Sequence, residues 1–234
     1  MLMYEASDVI VYSSLLIGAL LAIALVKKEP SDSLKLFLFW GMVIPITLTT
    51  LYLAIGTVVK NEKSATGGPV HWHADFEISA CGQPVDLKNP SGISNRIGTT
   101  VLHEHGDDRI HVEGIVNKLS DVKLAKFFEV IGGKMEKNVI HIPTDDGQLV
   151  IPNGMECPDG NRGTWQVFRY KTSGKTVIQE KLADFPNHVL APYSQIPPGD
   201  CIIMEFTGQV KDKTETICNF YDIAIKQGEL EYQQ

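Results

Sequence analysis

Two long uncharged stretches near the N-terminus restrict the fold more than anything else in the chain. Residues 9–26, VIVYSSLLIGALLAIALV, carry no charge, and residues 34–59, LKLFLFWGMVIPITLTTLYLAIGTVV, carry one, Lys35, at their start. A helix of about 20 apolar residues crosses the hydrocarbon core of a bilayer, and Lys35 sits where its stem can reach the interface. Pro45 lies inside the second run, where a membrane helix tolerates a kink, and Trp40 and Tyr52 suit the interfacial zones. Only Glu5 and Asp8 precede the first run, and no small-residue cleavage site follows it, so a removed signal peptide is not expected. The expectation is a transmembrane helical hairpin within residues 1–59, with helices at about 9–26 and 35–58. Its loop, KKEPSDSLK, holds Lys27, Lys28 and Lys35, and lysine-rich loops stay in the cytoplasm. That makes a two-pass protein of the cell membrane with its soluble part on the extracytoplasmic side, although Lys60 and Lys63 weigh the other way. The lipid bilayer is then a partner, and other membrane-protein subunits are candidate partners.

The rest of the 234 residues reads as an ordinary polar globular sequence. Residues 60–69, KNEKSATGGP, form a short polar linker ending in Gly67, Gly68 and Pro69. Residues 70–234 follow as a strand-rich domain, with 70–135 and 136–234 as candidate subdomains. ADFEISACGQPVDL predicts two strands about a turn at Cys81-Gly82-Gln83, and TTVLHEH and RIHVEGIV predict strands about Gly106-Asp107. NVIHIPT and GQLVIPNG flank Asp145-Asp146-Gly147, and TWQVFRYKTSGKTVIQEK alternates about Ser173-Gly174. CIIMEFTGQV and TETICNFYDIAI are read as late strands, and LADFPNHVLAPYSQIPPGD as a loop. One soluble helix stands out in SDVKLAKFFEVIGG, with Ser120 or Asp121 as its cap and Gly132 as its stop. Leu124, Phe127, Phe128 and Ile131 form its apolar face. The fold class is therefore α+β.

The chemistry concentrates between His71 and Glu113, which holds five of the seven histidines. His71 and His73 form one H-x-H, His103 and His105 another, and His111 follows in RIHVEG. Residues i and i+2 of a strand point to one face, so each pair presents two imidazoles together. Arg109, His111 and Glu113 share a face in the same way. With Asp75 and Glu77 beside the first pair, these residues form a candidate site for a transition metal, copper or zinc. The metal set is His71, His73, His103, His105, His111, Glu113, Asp75 and Glu77. An H-x-H on a strand is also what two half-buried structural histidines look like, and two pairs plus a third histidine favour the metal. His141, between apolar neighbours in VIHIP, is read as structural, and His188 as surface or supporting. Met155 and Met204 are soft donors in type and core residues by pattern.

Around these motifs the chain resembles a family of membrane-anchored or secreted proteins from archaea and candidate-phylum bacteria. The shared features are His71-Trp72-His73 leading to Phe76 and Ile78, Gly82, His103-Glu104-His105, Ile110-His111-Val112-Glu113, and Phe127-Phe128. The two-helix anchor is similar to versions in ammonia-oxidising archaea, whose physiology leans on copper. The resemblance covers about residues 70–135 and, more loosely, the strand IPPGDCIIMEF. It implies a location and copper as the metal, and no reaction. Asp107 stands one residue later than the family's aspartate, which leaves its ligand role open. A hairpin, a helix and a closing strand entered by P-P-G-D also resemble β-grasp domains, an analogy of fold alone.

Composition narrows the rest. A net charge of −7 without a basic run argues against nucleic acid as a partner. Cys81, Cys157, Cys201 and Cys218 stand singly, with no C-x-x-C, and an exterior domain allows them to pair. Cys201 is expected to bond Cys218 or Cys157. No nucleophile elbow, phosphate loop or dinucleotide fingerprint is present, which favours a non-enzyme. HWHADFE has the H-x-H-x-x-x-E shape of a cupin motif, with Glu77 as its third ligand, but no second cupin motif follows. The leading expectation is a membrane-anchored metal-binding protein that stores, delivers or senses copper, or supports a membrane complex. The rivals are a surface interaction module with structural histidines and a cupin-like metalloenzyme.

Overall fold

The computed structural model describes residues 6–190 and 199–232. The chain divides into two compact units, Met1–Lys63 and Ser64–Gln234.

The first unit is a pair of helices, α1 (Ala6–Val26) and α2 (Asp32–Lys63). Both are long and apolar enough to cross a membrane. The second starts earlier and ends later than its apolar run, because nothing between Val59 and Lys63 breaks a helix and Lys and Glu are good helix formers. The helices run antiparallel: Ser13 Oγ lies 2.6 Å from Thr49 Oγ1, and Leu20 closes on Gly41, where a Cβ would come within 3.0 Å of Leu20 Cδ1. Leu15, Leu25, Phe37 and Leu48 are exposed. Thr50 and Thr57 satisfy their hydroxyls on the carbonyls of Ile46 and Leu53, which suits a medium without water.

The second unit contains twelve strands among the described residues. In chain order these are β1 (Pro69–Ala80), β2 (Gln83–Pro84), β3 (Ile97–Gly98), β4 (Leu102–Glu104), β5 (Arg109–Ile115) and β6 (Lys134–Glu136). They continue with β7 (Val139–Thr144), β8 (Gly147–Pro152), β9 (Thr164–Ser173), β10 (Thr176–Lys181), β11 (Asp200–Thr207) and β12 (Glu231–Tyr232). A nine-stranded sheet runs β12-β10-β9-β11-β1-β5-β4-β3, with β2 folded against β1, and β6-β7-β8 form a second sheet. At its centre β1 pairs parallel with β11 and antiparallel with β5. The second unit is a strand-rich mixed domain, and the fold class is α+β, as expected.

The two faces of the large sheet differ. On one, Ala74, Phe76, Ile78, Ile110, Val112, Ile202, Met204 and Phe206 join a core with Phe127 and Phe128 of α3 (Leu124–Val130) and with Ile140, Ile142 and Ile151 of the small sheet. This core draws on both 70–135 and 136–234. On the other face, Phe168, Tyr170, Val177, Cys201 and Ile203 pack beneath Tyr221 and Ala224 of α4 (Asn219–Lys226). This second core involves β9, β10 and β11.

Several local expectations are corrected. TETICNFYDIAI is not a strand: its second half forms α4, because its buried residues Cys218, Tyr221 and Ala224 repeat every three positions rather than every two. Ser120 and Asp121 do not cap α3. They lie in a 3-10 turn, Leu119–Val122, and Lys123 precedes the helix without a side-chain cap bond. Gly132, at φ +92°, does end that segment. The expected loop over 182–200 includes a 3-10 turn at Phe185–Asn187, and residues 191–198 of it lie outside the described residues. Disulfides join Cys201 to Cys218 and Cys81 to Cys157. The first ties β11 to the start of α4, and the second ties the turn after β1 to the segment after β8.

Candidate metal centre

The registers of three adjacent strands assemble the site. Along β1, His71, His73 and Asp75 point to the α4 side of the sheet, while Trp72, Ala74 and Phe76 turn to the α3 core. Across the β1–β5 ladder, His71 stands opposite Glu113, His73 opposite His111, and Asp75 opposite Arg109. Across the next ladder His103 stands opposite His111. His73, His111 and His103 thus form a row perpendicular to the strands, the closest side-chain relation a sheet offers. Gly199 makes room for the start of β11. At φ +95° it runs so close to His73 that a Cβ would overlap the His73 carbonyl oxygen.

His105 enters from the turn between β4 and β5. Gly106 and Asp108 adopt left-handed backbone, at φ +80° and +55°. Glu104, on the opposite face of β4, holds the turn by accepting the N–H groups of Gly106 and, at 2.8 Å, Asp107. His105 Nδ1 lies 2.6 Å from the Asn95 carbonyl oxygen. A proton on Nδ1 makes that contact a hydrogen bond and leaves Nε2 with a free lone pair, the usual way a ligand imidazole is oriented from behind.

The five rings form one continuous nest. Their centroids lie 4.6 Å apart for His71–His73 and 4.7 Å for His73–His111, His103–His105 and His105–His111, with His103 stacked on His111 at 5.5 Å. Donor atoms close to within 4.8 Å in two groups, His71 with His73 and His111, and His103 with His105 and His111. Glu113 Oε1 lies 3.1 Å from His71 Nε2, and its Oε2 4.0 Å from His103 Nε2. Asp107 Oδ2 lies 3.2 Å from His111 Nε2. Exposure is graded across the nest: the His71 side chain is 62% exposed and that of His103 is 1% exposed.

Two features prepare these rings for a cation. The Nδ1 atoms of His73, His103 and His111 are buried and have no hydrogen-bond partner among the described residues. Each such atom costs about 1–3 kcal/mol of lost hydration. The same three rings are also held toward the neutral form. Burial, followed by the neighbouring His111, Arg109 and His71, lowers the His73 pKa to about 4, against a smaller opposing pull from Glu113. Burial is also the main cause that lowers His103 and His111, with Asp107 acting against it at His111. A neutral imidazole is the form that binds metal.

The acidic candidates separate. Glu113 lies among the histidines. Asp75 is buried at the border of the nest with Oδ1 2.6 Å from Arg109 Nε, and its Oδ2 has no partner among the described residues. Burial raises its pKa, against the lowering by Arg109. The Arg109 guanidinium lies 3.7 Å over the Phe220 ring of α4. Glu77, farther along β1 opposite Ile203, belongs to neither histidine group. Burial and then Asp108, Asp86 and Asp75 raise its pKa. His188, expected at the surface or in a supporting role, is part-buried and pairs with the buried Asp200 at 2.9 Å. Met204 is a core residue. Sequence reasoning missed Asn95 and the turn-holding role of Glu104. Only the latter left a signal, as an acceptor two and three residues before the turn amides.

No family model matches the chain, and the comparisons with curated proteins and solved structures found no match.

Proposed function

We propose that this chain is a membrane-anchored metal-binding protein whose histidine nest holds copper, with zinc as the alternative, on the extracytoplasmic side. The observation that carries the reading is the set of three buried imidazole nitrogens without a hydrogen-bond partner among the described residues, beside the more accessible His71 and His105. Structural histidines pair their buried nitrogens, and a cation is a partner that such lone pairs fit. Imidazole donors suit copper, zinc and nickel, and among divalent first-row ions copper binds such donors most tightly. The lysine-bearing loop between the helices supports the orientation, and two disulfides suit an oxidising compartment. In that setting the protein stores, delivers or senses the metal, or supports a membrane complex through its helices. The test is elemental analysis and calorimetric titration of the untagged full chain in detergent, beside the variant His73→Leu/His111→Leu. Stoichiometric metal in the wild type and its loss in a folded variant are expected. A folded wild type that takes up neither copper nor zinc at pH 7.5 would overturn the reading.

A further inference from the structure

Resting on that reading, we propose that the nest is a two-ion centre, with His111 shared between the ions and Glu113 spanning them. The strand order sets the geometry. β5 lies between β1 and β4, and neighbouring strands are about 4.8 Å apart, so the His71/His73 and His103/His105 pairs arise from backbones about 10 Å apart. Metal–imidazole bonds of about 2.0–2.1 Å hold two nitrogens on one ion no more than about 4.2 Å apart. In this arrangement the donor atoms of the two pairs do not come together in a single group. The donor atoms divide accordingly into two groups that share only His111.

The carboxylates match this division. Glu113 turns one oxygen toward His71, at 3.1 Å, and the other toward His103, at 4.0 Å. It thus offers one oxygen to each side. Asp107 adds a carboxylate at Nε2 of His111, 3.2 Å away, while Nδ1 of the same ring is buried without a partner among the described residues. Five imidazoles also exceed what one four-coordinate ion takes. The ligand class is a pair of divalent first-row cations, with copper(II) held most tightly. For His111 to give one ring nitrogen to each ion, its N–H bond breaks and the proton leaves to solvent when the second ion binds. Both electron pairs of the resulting imidazolate are then donated. The negative charge of the imidazolate, Glu113 and Asp107 offsets the repulsion between two dications.

The experiment is a titration of the untagged, full-length protein in detergent with copper(II). It is followed by calorimetry in buffers of different ionisation enthalpy and by electron paramagnetic resonance. Saturation at two ions per chain is expected, with one proton released at the second equivalent. The resonance signal should grow through the first equivalent and collapse through the second, as the spins couple across the shared ring. His71→Ala/His73→Ala and His103→Ala/His105→Ala should each bind one ion with an uncoupled signal. Wild-type saturation at one ion would overturn the two-ion centre while leaving the metal-binding reading standing. Two ions with undiminished, uncoupled signals would overturn the sharing of His111. No uptake at all would overturn both readings. Because wild-type stoichiometry and coupling decide the matter alone, a variant that fails to fold does not blunt the test.

Discussion

Replacing His111 with leucine separates a ring kept for binding from one kept for packing. In the metal-free protein the ring holds a buried Nδ1 without a partner among the described residues and an Nε2 3.2 Å from Asp107. Removing the orphaned nitrogen relieves about 1–3 kcal/mol, and losing the Asp107 contact costs about 0.5–1.5 kcal/mol. Asp107 is 46% exposed on its side chain and returns to water. Leucine is close to histidine in volume, so the net gain is about 1 kcal/mol, or about 2–4 °C in melting temperature for a unit of this size. With metal at 100 times its dissociation constant the wild type gains about 2.7 kcal/mol, which is about 5–10 °C by the same conversion. The variant, having lost the ring common to both donor groups, should gain little. The order of stability therefore inverts: His111→Leu melts above the wild type in chelator and below it in copper. Scanning calorimetry of the full chain in both conditions reads this directly. A variant that melts several degrees below the wild type in chelator, or that keeps the full metal shift, would refute the reasoning.

The metal-free protein should lose stability as the pH falls from about 6.5 toward 4. The His73 pKa is about 4 in the folded state against about 6.5 for an ordinary imidazole, so in that window the unfolded chain binds more protons and stability rises with pH. Denaturant melts across that range in chelator check it, and a flat profile would contradict it. Cys201→Ser/Cys218→Ser opens a loop of 17 residues and should cost about 3 kcal/mol on the chain-entropy account. It should also free Phe220 from Arg109, measurable as faster amide exchange in α4. Non-reducing peptide mapping of the wild type should find Cys81 with Cys157 and Cys201 with Cys218. Arg109→Met leaves the buried Asp75 carboxylate unpaired and should cost about 3–5 kcal/mol. Asp75→Asn/Arg109→Met should recover much of that and keep its metal stoichiometry, and loss of stoichiometry in the folded double variant would make Asp75 a ligand.

How far each feature was legible follows from the range of the forces behind it. The membrane-length helices could be read from residues 9–26 and 34–59 because lipid demands a continuous apolar run, a property of neighbours in sequence. The facing of His71 with His73, and of His111 with Glu113, was legible for a similar reason: alternation in a strand needs no tertiary information. The row His73–His111–His103 was not, because it depends on the registers of two ladders. One of those is set by the left-handed residues Gly106 and Asp108 and by Glu104 beneath them. The ion pair of Asp75 was not legible either, because only the β1–β5 register brings Arg109 opposite it. In α4, eight residues with Cys218 at the N-cap offer too few turns for their period to stand out from an alternating pattern. The partner of Cys81 depended on bringing together residues 76 apart.

The uneven covering of the sheet explains how the nest can be both costly and tolerated. The α3 face carries the main core, with Phe127, Phe128, Ile110, Ile140, Ile142 and Ile202 at 0% exposure. That supports β1, β4 and β5 from behind. On the other face α4 spans eight residues, about 12 Å of helix. It packs on residues of β9, β10 and β11, and its Phe220 reaches as far as Arg109. Beyond that contact the histidines occupy the sheet surface that a longer helix would otherwise cover with apolar side chains. Rigid strands fix the imidazoles from below, while the polar face above leaves an approach past the exposed His71. A site with unpaired nitrogens on such a support keeps its shape without metal, so binding is not opposed by a large ordering cost. Metal uptake should accordingly leave the circular dichroism of the soluble unit almost unchanged, whereas a nest that folds only around its ion would show a large gain in strand signal.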